Sequence, residues 1–159
     1  MQLAWSPNAK KPILAECVIL PDLADSNAYK AWMPSVKGKI VMISMAQPTG
    51  RPDYNWTEFG TPESVKKMRD ERAALTTAWS ARLRKTGLSA KNLALALEKA
   101  GAAAIMASNW SAGFGVNKIF GANTTKIPTI DVSLEDYGLV YRLAEMGCRE
   151  IWQFPRSGN

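Results

Sequence analysis

The stretch 93–132 constrains the fold most, because a helical pattern is followed by short apolar segments. Its first part places leucine and alanine at the spacing of one helical face. Ser89 can cap this helix, and Gly101 suits the left-handed residue that ends it. Two apolar strands are predicted next, at 102–107 and 127–132, and Pro128 favours a start at a sheet edge or at a bend because it has no N–H to donate. A mixed α/β fold with some parallel pairing is expected.

The rest of the chain continues this alternation of strands and helices. Further strands are predicted at 3–5, 13–20, 39–45 and 149–154, and helices at 27–32, 61–86 and 133–147. Ser26, Thr61 and Ser133 are the expected N-terminal caps of these helices, since serine and threonine oxygens accept the free backbone N–H groups of a first turn. The β-branched and apolar run 40–45 predicts the central strand of the sheet.

Three segments resemble a known family. They read VKGKIVMIS, ALEKAGAAAIMASN and IPTIDVSLEDYGLVYRLAEMG, and in this order they resemble the core of a protease-associated (PA) domain. The last segment is most similar to PA insertions in zinc aminopeptidases related to transferrin receptor and glutamate carboxypeptidase. The resemblance implies a swivelling β/β/α architecture, in which two packed sheets carry flanking helices. It makes 1–159 a single domain, with the loop and long helix of 47–88 as an elaboration.

The resemblance also implies a function. A PA domain is non-catalytic, and it would shape access to an active site or bind substrate and partner proteins. The expected partners are the catalytic domain of a parent peptidase and a peptide or protein substrate, with no nucleic acid. Zinc is expected in the parent catalytic domain and no cofactor in this chain. A secreted or periplasmic location is expected, although the first residues lack the basic-then-apolar pattern of a signal peptide.

The amino-acid composition excludes several kinds of active site within this chain. The 159 residues include no histidine, which excludes a Ser-His-Asp triad, a Cys-His pair and a His-ligated zinc within this chain. Cys17 and Cys148 are too few for a metal motif and are predicted to be buried thiols, with a disulfide geometrically possible. No apolar run is long enough to span a bilayer.

Two segments between predicted elements are rich in side chains that form contacts. Segments 47–60 and 108–121 combine glycine with aromatic residues and are both predicted to be loops. Loops on a rigid scaffold commonly carry recognition, and Tyr, Trp and Arg are favoured at interfaces. The candidate binding residues are Arg51, Tyr54, Trp56, Asn109, Trp110 and Phe114. The alternative is that Tyr54, Trp56 and Phe59 pack back onto the core.

The predicted long helix leaves two other functions open. Segment 61–87 carries seven basic and three acidic residues within a chain of net charge +6. A basic helix suggests a nucleic-acid binder, but interleaved acids are more typical of a solvated face, which is the interpretation preferred here. The second alternative is a small histidine-free hydrolase with a lysine- or carboxylate-based site, although no carboxylates pair convincingly for acid–base chemistry.

Overall fold

A sheet of mainly parallel strands organises the computed structural model, which describes residues 1–9, 11–119, 121–147 and, for the backbone, 151–154. Strands β1 to β7 are Ile13–Ile19, Ile40–Met42, Ala104–Ala107, Trp110–Ser111, Val116–Asn117, Thr129–Asp131 and Ile151–Phe154. Helices α1 to α5 are Ser26–Trp32, Asp53–Phe59, Pro62–Lys85, Ala90–Lys99 and Leu134–Glu145, and a short 3₁₀ helix spans Met33–Val36. The predicted mixed α/β class is confirmed.

The strands pair in the order β6-β3-β2-β1-β7, and β4 and β5 form a separate antiparallel hairpin. Strands β6, β3, β2 and β1 are mutually parallel, and β7 runs antiparallel beside β1. The predicted central position of the 40–45 segment and the edge position of the 127–132 segment among the parallel strands are both confirmed. Residues 149 and 150 of the last predicted strand lie outside the described residues.

Apolar side chains from both faces of this sheet form the core. Leu97, Ile105, Met106 and Val140 are fully or almost fully buried, and they come from α4, β3 and α5. Cys17 of β1 is buried as predicted, whereas Cys148 lies outside the described residues.

Several helix boundaries follow the predicted signals. Thr61, Ser89 and Ser133 each accept a first-turn backbone N–H through the side-chain oxygen. Gly101 has φ +88°, so the left-handed helix end predicted there is confirmed. The prediction of Ser26 as a cap is wrong. Asp25 caps α1 instead, because its carboxylate accepts the N–H groups of both Asn27 and Ala28 at 2.9 Å.

Two strand predictions are corrected. Residues 3–5 form a turn rather than a strand: Gln2 makes one isolated bridge to Ile130, and the chain then bends at Trp5, which has φ +59°. The 39–45 strand ends at Met42. Beyond it, the backbone of Ser44 pairs with the Tyr137 hydroxyl of α5, which accepts from Ser44 N at 2.9 Å and donates to Ser44 O at 2.6 Å.

The two predicted loops also contain regular structure. Segment 47–60 includes α2, because Pro52 stands immediately before the first turn, where its missing N–H costs no hydrogen bond. Segment 108–121 contains the β4–β5 hairpin, in which Trp110 pairs with Asn117. Glycine and proline therefore mark the ends of short elements in both segments.

Helix α3 is the long helix that the sequence predicts, and its apolar side chains are only partly buried. Met68 and Trp79 are buried, whereas Leu75 remains 42% exposed. The C-terminal half is fixed by polar contacts: Arg82 Nη1 donates to Leu20 O at 3.0 Å, and Lys85 pairs with Asp22 at 2.8 Å. Among the described residues, no helix is both long and apolar enough to cross a membrane.

Candidate functional site

The segments that follow β2 and β3 meet at the carboxyl ends of these two strands. Since β2 and β3 are adjacent and parallel, their carboxyl ends lie side by side. Ligands of open α/β sheets commonly bind at this end of the strands. Asp53 N donates to Ala112 O at 2.8 Å. A Cβ on Gly115, which has φ +68°, would lie 3.3 Å from Pro52 Cγ. We call the solvent-facing side of α2 and the β4–β5 hairpin the α2–hairpin surface.

Arg72 of α3 contacts both parts of this surface, α2 and the β4–β5 hairpin. Its guanidinium forms an ion pair with Asp53 of α2 and lies over the ring of Trp110 in the hairpin, 5.1 Å from the ring centroid. The arginine side chain is only 14% exposed. Planar stacking and a charge-assisted hydrogen bond both restrict the guanidinium, so α3 fixes the position of α2 relative to the hairpin.

Asp131 at the end of β6 anchors the base of the hairpin. This carboxylate is 2% exposed. One oxygen accepts from Asn109 N at 2.7 Å and from Asn109 Nδ2 at 3.0 Å, and the other accepts from Asn117 Nδ2 at 2.5 Å. Asp131 thus accepts one backbone N–H and two side-chain N–H groups, and Asn109 has a direct structural contact here.

Arg51 and Trp56 form a second stacked pair, on the outer side of α2. The Arg51 guanidinium lies 4.9 Å from the centroid of the Trp56 ring, and Arg51 Nε donates to Asn55 Oδ1. Both side chains are half-buried. The arginine is therefore held in one orientation while part of it stays accessible to a ligand.

The six predicted binding residues fall into two groups. Tyr54 and Phe114 are 57% and 80% exposed, whereas Arg51, Trp56, Asn109 and Trp110 are half-buried. The alternative in which all three aromatic residues of 47–60 pack onto the core is wrong, because Phe59 is also 65% exposed. Tyr54 and Phe59 are exposed residues of α2, and Phe114 is exposed in the turn between β4 and β5.

Asp53 and Arg72 are not among the six candidate binding residues that the sequence indicates. The two residues are 19 positions apart on different helices, so no local spacing marks them as a pair. A cation on the apolar side of α3 was the available signal.

The basic helix is largely paired with acids or carbonyl groups. Lys66 and Lys67 form i,i+4 pairs with Asp70 and Glu71, and pairs of Arg72 and Lys85 with acids on other elements are described above. Such pairing favours the solvated-face interpretation over a phosphate-binding surface. Within the described ranges, no group of three or more Cys, Asp or Glu residues is placed to hold a metal ion.

Comparison of this chain with protein-family models, with curated proteins and with solved structures finds no match. The likeness to PA domains therefore rests on the three sequence segments named above, and the function has to be argued from the α2–hairpin surface.

Proposed function

We propose that this chain is a non-catalytic, PA-like recognition domain that binds a peptide or protein partner through the α2–hairpin surface. One observation carries the proposal: Tyr54, Phe59 and Phe114 are exposed on two elements that are fixed to each other and to α3. Large aromatic side chains contribute strongly to interfaces because they bury much area while losing little side-chain entropy.

The rigidity of the surface supports a role in recognition. Ordering a loop during association costs free energy, which reduces affinity. Here the Asp53–Ala112 hydrogen bond, the Arg72–Asp53 ion pair and the Asp131 contacts already fix the elements that present the aromatic residues. In the PA domains that the sequence resembles, such a module lies beside a zinc-dependent catalytic domain. We propose the same association here, with a secreted or periplasmic location.

The proposal is tested by removing the exposed aromatic side chains together. The complete 159-residue chain is compared with a Tyr54→Ser/Phe59→Ser/Phe114→Ser variant for binding to immobilised, reduced and carboxymethylated α-lactalbumin, an unstructured polypeptide. We expect measurable binding by the unsubstituted chain and a loss of about tenfold or more in the triple variant.

The matched control is Leu139→Ser, which changes an exposed apolar residue on α5 and should leave binding unchanged. Equal binding by the triple variant and the unsubstituted chain would contradict the proposed function. So would an equal loss in the Leu139→Ser control, since it would show general adhesion of apolar surface.

A further inference from the structure

A groove of about 350 Å³ lies beside the α2–hairpin surface, between residues 48–49, α2 and the first turns of α3. Pro48, Trp56 and Met68 supply apolar lining, and Lys67 and Glu71 supply charged groups. An apolar lining with a few polar groups is typical of ligand-binding clefts.

Gly60 gives the groove its shape at the junction of α2 and α3. A Cβ at this position would lie 2.6 Å from Trp56 O, 3.0 Å from Val65 Cγ2 and 3.2 Å from Ser64 Oγ. Only glycine permits the two helices to approach so closely. Trp56 of α2 and Ser64 of α3 consequently line the same groove.

Arg51 supplies a positive charge at the tryptophan of the groove. Its guanidinium is stacked on Trp56 and held by Asn55, as described above. An arginine that is already oriented loses little side-chain entropy when it binds a carboxylate, and its planar fork matches the two carboxylate oxygens. Lys67 and Glu71, which also line the groove, form an exposed i,i+4 pair with each other at 3.9 Å, so Arg51 is the cation on which the charge argument rests.

Trp56, which lines the groove, has unmet hydrogen-bonding capacity, and so does Gln47, which is next to a lining residue in the sequence. Trp56 Nε1 is buried without an acceptor, and Gln47 Oε1 is buried without a donor, within the described part of the chain. Trp56 lines the groove, and Gln47 directly precedes Pro48, which also lines it. Such orphaned groups cost free energy. The unpaired indole N–H of Trp56 complements the C=O group of a peptide backbone, directly or through a bridging water.

From these observations we infer that the groove binds an extended, acidic segment of a peptide partner. A backbone carbonyl of the segment would accept from Trp56 Nε1, its apolar side chains would contact Pro48 and Met68, and a carboxylate would pair with Arg51. The net charge of +6 also favours acidic partners by attraction during approach. This inference rests on the proposed function and specifies the chemistry of the partner.

The test uses the complete chain labelled with ¹⁵N and follows the indole N–H signals by NMR, with Trp56 assigned from a Trp56→Phe variant. The probe is a short peptide that alternates glutamate with leucine and is blocked at both ends. The matched probe replaces each glutamate with lysine. We expect a saturable shift of the Trp56 indole signal with the glutamate peptide and none with the lysine peptide.

Two variants determine whether Arg51 is responsible. Arg51→Gln should weaken binding of the glutamate peptide roughly three- to fivefold, since the ion pair is partly exposed to solvent. Arg84→Gln removes an exposed cation from the far end of α3 and should leave the affinity unchanged. Equal affinity in Arg51→Gln and the unsubstituted chain overturns the inference, as does an equal response to both peptides.

The outcome also separates this inference from the proposed function. If the glutamate peptide does not shift the Trp56 indole signal but the triple-serine variant still loses α-lactalbumin binding, the inferred peptide site in the groove is wrong. The proposed binding role of the α2–hairpin surface is then retained. If the triple variant keeps its α-lactalbumin binding but the Trp56 indole signal shifts with the glutamate peptide, binding of an acidic peptide in the groove is retained. The proposed binding role of the exposed aromatic residues is then wrong.

Discussion

The sheet core and the α2–hairpin surface are stabilised in different ways. In the core, residues such as Leu97 and Ile105 are completely buried among other apolar side chains. The α2–hairpin surface instead depends on a few directional contacts, chiefly those of Arg72 and Asp131. Apolar burial scales with area and has little directionality, whereas a hydrogen bond requires particular atoms at a particular distance. The core therefore tolerates conservative change, and the surface depends on single residues.

The largest effect is expected in the core. Leu97→Ala should lower the free energy of unfolding by about 3 to 4 kcal/mol, because it removes buried apolar volume and leaves a cavity between α4 and the sheet. Chemical denaturation measures this loss. Leu139→Ala, at an exposed position on α5, is the control and should change stability little; comparable losses in both variants would contradict the assignment of Leu97 to the core.

A smaller and more local effect is expected at the hairpin anchor. Asp131→Ala should cost about 2 to 3 kcal/mol, since the amides of Asn109 and Asn117 lose a charged acceptor in a buried position. Hydrogen exchange should accelerate at Gly115 and Lys118, whose N–H groups bond within the hairpin, more than at Ile105 in β3. Asp70→Ala, at an exposed acid of α3, is the control. Uniform acceleration across hairpin and sheet would show that Asp131 stabilises the whole domain rather than the hairpin.

An intermediate case is Glu98 of α4, which fixes the segment before β6. Its carboxylate accepts from Thr125 N, Thr125 Oγ1 and Lys126 N at 2.8, 2.7 and 2.6 Å, and from Ile127 N at 3.2 Å. Burial alone raises the pKa of Glu98, but these hydrogen bonds together outweigh it and hold the pKa below its ordinary value of 4.5. The stabilisation is present above the unfolded-state pKa and is lost as the pH falls through the folded-state pKa.

Glu98→Gln should therefore lower stability by about 1 kcal/mol at neutral pH. The difference from the unsubstituted chain should shrink as the pH falls below 4.5, because the protonated carboxyl of the unsubstituted chain makes the same bonds poorly. Urea denaturation over a pH series measures this dependence, with the exposed Glu58→Gln as control. A difference that stays constant with pH would contradict the role of the ionised carboxylate.

The smallest effect on stability is expected at the exposed aromatic residues. The Tyr54→Ser/Phe59→Ser/Phe114→Ser variant should unfold within about 0.5 kcal/mol per substitution of the unsubstituted chain, because exposed positions contribute little to folding. Thermal and chemical denaturation check this. A large loss would show that these rings pack onto the domain, and the binding experiment on the same variant would then have to be repeated with single substitutions.

Helix ends and the sheet centre could be predicted from the sequence because local chemistry decides them. Thr61, Ser89 and Ser133 cap helices with atoms only three residues away, and the apolar run 40–42 is buried on both faces of the sheet. The same local rules failed for Leu3–Trp5, where a strand was predicted. The backbone N–H groups of Leu3 and Ala4 instead make single hydrogen bonds to the distant carbonyls of Thr129 and Ile119. They also failed for 53–59, where proline starts a helix rather than a loop.

The sequence by itself determined an α/β chain in which apolar periodicity sets the helices and the buried strands, and it drew attention to the two aromatic segments. Only the tertiary structure decided that these segments share one edge of the sheet, that Arg72 pairs with Asp53 and Trp110, and that Tyr54, Phe59 and Phe114 stay in solvent. The physical reason is the separation along the chain over which each interaction acts. Capping and periodicity act within a few residues, whereas these contacts join side chains on different elements, 19 positions apart for Arg72 and Asp53.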